Sequence, residues 1–83
     1  MMTYQVVWSE TASRELGKLD RSVARRILDR VDAIREEPKR GLRRLVGAPY
    51  YRLRVGDYRL IVELVEDKLL VLVLKVGHRK SIY

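Results

Sequence analysis

The chain has 83 residues, 47% of them hydrophobic and 35% charged, which suits one small domain with a single core. With no cysteine and one histidine, it excludes a disulfide framework, a thiolate nucleophile and a thiolate or His-cluster metal site. A formal net charge of +7, carried mostly by arginine, asks for a polyanionic partner, either nucleic acid or an acidic protein.

Residues 3–8, TYQVVW, read as a short strand rich in β-branched and aromatic side chains. Ser9 follows as a helix N-cap, with Glu10 in the first turn and Ala12, Leu16 and Leu19 facing inward. Asp20 is a second N-cap candidate. From Arg21 to about Glu37, Val23, Ala24, Ile27, Leu28, Val31 and Ile34 form one apolar stripe of an amphipathic helix. Its charged side holds Arg25–Asp29 at i,i+4 spacing. Pro38 is expected to end that helix. Residues 39–49, KRGLRRLVGAP, read as a basic connector anchored by Leu42 and Leu45.

Three strands follow. In YYRLRV, Tyr51, Leu53 and Val55 point one way, while Tyr50, Arg52 and Arg54 point the other. Gly56-Asp57 marks a tight turn, so Val55 faces Tyr58, Arg54 faces Arg59 and Leu53 faces Leu60. Two arginines opposed across a strand pair cost roughly 0.2–1 kcal/mol, a burden that implies an anion to place there. For the second hairpin, Glu66-Asp67-Lys68 reads as a three-residue loop, chosen because a two-residue loop would turn Lys75 onto the apolar face. That register sets Arg59 opposite Lys75. It also puts Tyr58, Leu60, Val62 and Leu64 on one face with Leu70, Leu72, Leu74 and Val76. The last strand is apolar on both sides and is therefore placed centrally. Trp8, Tyr4, Tyr51 and Tyr58 read as packing residues, and Glu63 as the partner of a basic neighbour.

The whole reads as β-α-α-β-β-β, a single α+β domain with an antiparallel sheet and a helical hairpin packed on one face. No apolar run reaches the roughly 18 residues of a membrane span, and the N-terminus lacks a signal-peptide pattern, so no membrane role and a cytoplasmic location are expected.

This element order, with VGDYRL on one strand, VLVLKVGHR on the last and a tyrosine close behind, resembles the RelE/ParE toxin superfamily, and its RelE branch most. The resemblance spans essentially the whole chain. It implies the toxin of a type II toxin–antitoxin pair: a metal-independent endoribonuclease, without a cofactor, that cleaves mRNA in the ribosomal A site. The partners it implies are mRNA, the ribosome and a cognate acidic, RelB-like antitoxin, assembled with the toxin as a hetero-oligomer. Carried over position by position, the family's catalytic basic and aromatic residues fall on Arg52, Arg54, Arg59, Arg79 and Tyr83. Lys75, His78, Lys80, Arg43 and Arg44 are the accompanying RNA-binding candidates. Where the best-known members carry lysine on the strand before the turn, this chain has arginine, which stays protonated and cannot take a proton at neutral pH. Metal-free RNA cleavage needs a base for the 2′-hydroxyl, positive charge at the phosphate and an acid for the leaving 5′-oxygen. Arg59 and Arg79 suit the phosphate. Tyr83 suits the base or a stacking platform, and Lys75, Lys80 or His78 the acid. The alternative is a ParE-like gyrase inhibitor, or a toxin homologue that binds without cleaving.

Overall fold

The computed structural model describes residues 3–80. In chain order the elements are β1 (Gln5–Trp8), α1 (Glu10–Gly17), α2 (Arg21–Ala33), α3 (Pro38–Gly41), β2 (Arg43–Arg44), β3 (Tyr51–Val55), β4 (Tyr58–Val65) and β5 (Leu70–His78), with a 3₁₀ turn at Glu66–Lys68. The strands form one sheet in the order β1-β5-β4-β3-β2. The α+β reading holds, and β5 is an interior strand between β1 and β4, although β4 rather than β5 is the middle strand and the helices cover β5 on one face only. One pairing adds to the expected pattern: β1 runs parallel to β5, from Gln5↔Leu70 to Trp8↔Val73, which makes the sheet mixed.

The first helix starts as its sequence dictates. The Ser9 hydroxyl accepts from the Ala12 N–H at 3.0 Å and donates to the Leu74 carbonyl at 3.0 Å. Asp20 stands at the N-cap of α2 but makes no side-chain cap bond. The second helix is shorter than its apolar stripe suggests, ending at Ala33. Pro38 does not terminate it. The proline instead opens the single turn α3, where its missing N–H forfeits no intrahelical bond. The connector read as irregular thus holds a helical turn and a two-residue strand. Gly41 closes α3 because a Cβ there would lie 2.5 Å from the Ile34 Cγ2.

The β3–β4 hairpin has the expected register, with Val55↔Tyr58, Arg54↔Arg59 and Leu53↔Leu60. Gly56 takes φ +58°, which a glycine at the first loop position supplies without strain.

The second hairpin corrects the sequence reading. Its loop takes in Leu69, held in the left-handed region at φ 54°, and pairing begins at Val65↔Leu70 rather than Val65 with Leu69. That register alone would carry Lys75 onto the core face opposite Leu60. An irregularity between Ile61 and Val62 prevents it: Val62 pairs with Val73 and Ile61 with Lys75, so Leu74 is the extra residue of a bulge. Lys75 therefore lies opposite Ile61, not Arg59, and Arg59 lies opposite Gly77. The constraint that Lys75 must leave the apolar face was sound. The chain meets it with a longer loop and a bulge.

The core residues of β5 are consequently Val71, Val73 and Val76, not Leu70, Leu72 and Leu74. They join Leu53, Val55, Leu60 and Val62 on one face of the sheet, against Ala12, Ile27, Val31 and Ile34 of the helices and Leu42 of the connector. Tyr4, Trp8, Tyr51 and Tyr58 pack around this cluster, as their size and amphipathic character suit them to do. Beyond Trp8, helix α1 takes over the β1 side of the β5 backbone. Ser9 satisfies the Leu74 carbonyl, and the Glu15 carboxylate accepts from the Val76 N–H at 2.9 Å. No described helix is long and apolar enough to cross a membrane.

Candidate nucleic-acid interface

Strand alternation sends every second residue to the face away from the helices. Two rows of that face carry the basic side chains. Arg43, Arg52, Ile61 and Lys75 stand side by side across β2, β3, β4 and β5, and Arg54, Arg59 and Gly77 form the next row. With strands about 4.8 Å apart, the first row spans roughly 14 Å. The opposed Arg54 and Arg59 cost stability where they stand, and Gly77 leaves the space beside Arg59 without a side chain. The bulge at Leu74 is what delivers Lys75 to this surface. A structural irregularity thus completes the basic cluster.

Arg43, Arg52, Arg54 and Lys75 have no carboxylate partner among the described residues, whereas ion pairs form elsewhere on the surface. Arg25–Asp29, expected from its spacing, closes at 3.5 Å. Glu63, on the same sheet face and opposite Leu72, forms no ion pair among the described residues, contrary to expectation. Its nearest cross-strand neighbour is apolar.

The remaining candidates divide. Arg79 is exposed just past β5, and its N–H donates to the Asp57 carbonyl at 2.8 Å, which holds it beside the β3–β4 turn. Lys80 is exposed, and its N–H donates to His78 Nδ1 at 3.3 Å. His78 pairs with Tyr58, on the helix side of the sheet, and the two rings meet edge to face at 5.5 Å. Arg44 also belongs to that side. It pairs with Tyr51, and its guanidinium sits 5.9 Å from the tyrosine ring centre. The structure therefore gathers Arg43, Arg52, Arg54, Arg59 and Lys75, holds Arg79 close to the turn, and turns Arg44 and His78 to the other face. Tyr83 lies outside the described residues.

The sequence reading set Arg26 and Arg30 on the charged face of the second helix, as solvated charge or a surface for ribosomal RNA, and did not single out Arg40. The Arg26 guanidinium lies over the β3–β4 turn, with Nη2 3.2 Å from where a Cβ on Gly56 would be. Arg30 and Arg40 line a groove of about 370 Å³ together with Lys39, Arg43, Arg52 and Arg54. A signal was present in the sequence: Arg26 and Arg30 are like charges at i,i+4, which a helix does not choose for its own stability.

Chemically, the arginines offer fixed positive charge and paired N–H donors at the spacing of a sheet, an arrangement suited to phosphate oxygens. Among the described residues of the two basic rows, Lys75 is the one cation that is not an arginine. The described residues contain no cluster of metal-ligating side chains.

This α+β fold, a mixed sheet of this order with helices on one side, is shared by toxins of type II toxin–antitoxin systems. The model of the ParE toxin family of such systems matches residues 6–83, and the chain belongs to that family, within the RelE/ParE superfamily. Among curated relatives, it is similar to the mRNA interferase toxin RelE of Escherichia coli K12, at 29% identity over 82 residues, covering 95% of this chain and 86% of the relative. Among solved structures, it resembles the toxin in the RelBE2 toxin–antitoxin complex of Mycobacterium tuberculosis, with a TM-score of 0.85, 28% identity, and coverage of 98% and 97% of the two chains. The archaeal RelE–RelB complex of Pyrococcus horikoshii follows with a TM-score of 0.82, 29% identity, and coverage of 96% and 99%.

Proposed function

We propose that this RelE-like toxin cleaves mRNA in the ribosomal A site, and that Arg52, Arg54, Arg59 and Arg79 carry the substrate's phosphate through the reaction. The observation that carries this reading is the Arg54↔Arg59 pair, opposed on the sheet face away from the helices with Arg52 and Lys75 in the adjoining row. The similarity to a protein named as an mRNA interferase supports the choice of substrate.

In the step itself, the 2′-oxygen of the substrate forms a bond to the adjacent phosphorus as the bond from phosphorus to the 5′-oxygen breaks. The 2′-hydroxyl loses its proton to a base, and the departing 5′-oxygen gains one. The products are a 2′,3′-cyclic phosphate and a 5′-hydroxyl. The arginines keep their charge throughout, so their part is to hold the phosphate and to stabilise charge gathering on its oxygens. In this proposal Tyr83 serves as the base or as a stacking platform, and Lys75, in the row of Arg52, is favoured over Lys80 and His78 as the acid. An antitoxin of the RelB kind, like those in the similar complexes, is the proposed regulatory partner.

The test is cleavage of mRNA on programmed ribosomes. Wild type should cleave there and not in ribosome-free RNA. Removing one electrostatic donor typically costs 10²–10³ in rate, so Arg59→Ala should fall by about that factor while remaining folded. A folded wild-type protein that leaves the message intact rejects the reading. The match to the ParE family model favours gyrase inhibition as the second reading, and a DNA-supercoiling assay then decides it.

A further inference from the structure

The groove along the outer edge of β3 is not part of the two basic rows, although it shares residues with them. Arg30 of α2, Lys39 and Arg40 of α3, Arg43 of β2, and Arg52 and Arg54 of β3 line it. Two features show that the fold builds this groove rather than merely leaving it. Gly41 lets α3 close against Ile34, and the Arg30 Nη1 lies only 3.9 Å from the position a Gly41 Cβ would take, so the guanidinium rests over the bare backbone. Strand β2 begins only at Arg43 and runs antiparallel to β3, leaving the edge of β3 beyond Arg52 without a strand neighbour.

The charges in the groove are poorly compensated. Lys39 pairs with Glu66 at 3.2 Å and Arg40 with Glu37 at 3.3 Å, both exposed pairs. Arg30, Arg43, Arg52 and Arg54 have no carboxylate within ion-pair distance among the described residues, and Asp29, the acid nearest Arg30 in sequence, is engaged by Arg25. No acidic side chain lines the groove.

We infer that this groove is a second phosphate-backbone site, which holds the RNA strand on its way to the Arg54–Arg59 face. The inference rests on the RNA-cleaving reading for the identity of its ligand. Arg52 and Arg54 line the groove and also belong to the basic rows, so a single strand can pass from one to the other over the β3 edge without leaving positive charge. An acidic peptide is the poorer fit. Peptide partners anchor through apolar and aromatic contacts, and here only Leu42 is apolar, itself buried in the core. A peptide-like groove does exist, but on the other flank of α2, where Val6, Trp8, Leu28 and Val31 contribute to a groove of about 470 Å³. Nucleic acid needs no such anchor, because phosphate neutralisation alone drives sequence-independent binding.

The experiment measures binding of a short, labelled 2′-O-methyl oligoribonucleotide by anisotropy across a salt series. That probe has no 2′-hydroxyl nucleophile and cannot be cleaved. Arg30→Gln/Arg40→Gln should bind about tenfold more weakly or worse at low salt, and its slope of log K against log salt should shrink by about 1.4, from two single-strand phosphate contacts. Arg14→Gln/Arg25→Gln removes the same charge from other parts of the helical layer and should leave the slope unchanged. Equal losses in the two double variants would overturn the site, since the charges would then act diffusely. A polyglutamate peptide that displaces the probe at a lower concentration than unlabelled RNA would also overturn it, in favour of an acidic polypeptide. If the double variant does not fold, the exposed Arg40→Gln alone is read the same way, with a slope change of about 0.7. The groove and the chemistry fail separately. A wild type that binds with the expected slopes but never cleaves on ribosomes removes the nuclease reading and leaves the groove. A wild type that cleaves, with no slope difference between variants, removes the groove alone.

Discussion

Residues 59 to 63 of β4 serve two opposite environments in alternation. Leu60 and Val62 are fully buried against the helices, while Arg59, Ile61 and Glu63 face away from them. On the buried face, each neighbour improves the packing of the next. On the open face, neighbours work against one another, since Arg54 and Arg59 repel and Glu63 stands opposite a leucine. The contrast separates what the fold needs from what it merely tolerates. A residue whose surroundings reward it explains itself, and one whose cross-strand neighbour penalises it is held there for a reason other than sheet stability.

Substitutions on alternate positions should break that contrast in opposite ways. Leu60→Ala should cost about 2–5 kcal/mol in denaturant unfolding, because Leu53, Val76 and the helices cannot all collapse into the space. Arg59→Ala should cost less than about 1 kcal/mol in the same measurement while losing cleavage. A stability loss at Arg59 equal to that at Leu60 would mean the arginine is structural. Next in size is Gly41→Ala, which drives a methyl group into the Ile34 side chain and should cost about 1–3 kcal/mol. Glu15→Ala strands the Val76 N–H and should cost about 1–2 kcal/mol, with Glu15→Gln recovering most of it because an acceptor remains. Ser9→Ala should cost about 1 kcal/mol for the lost cap and its bond to Leu74, leaving Arg59→Ala as the smallest stability loss of the set. Thermal or denaturant melts rank all of these.

The first hairpin was legible because every signal in it is local. Gly56 announces the turn, strict alternation fixes the faces, and the Arg54↔Arg59 opposition follows by counting. The second hairpin was not, for two reasons. Leu69 adopts a left-handed backbone that leucine does not advertise, and Leu74 is an extra residue in a run where every residue is apolar. Neither the loop length nor the bulge leaves a mark in such a run, so the face of β5 that enters the core was misassigned. Pro38 was ambiguous in kind, since proline both stops helices and starts them. The basic cluster was legible in membership but not in arrangement. Arg43 and Arg44 are adjacent in sequence and therefore point to opposite faces, and His78 follows the parity of Val76 toward Tyr58. The groove with Arg30 and Arg40 depends on how α2 and α3 approach β3, a tertiary relation with no local signature.

The place of β5 has a consequence for the order of assembly. It is the last of the described strands in chain order, yet it is the neighbour of both β1 and β4. While residues 70–78 are still inside the ribosome, β1 has no strand to join and the core lacks Val71, Val73 and Val76. The basic face lacks Lys75 at the same stage. Joining Gln5 to Leu70 also closes the longest loop in the sheet, at an entropic cost that only the finished core repays. The core and the basic face are therefore completed together, when β5 joins the sheet.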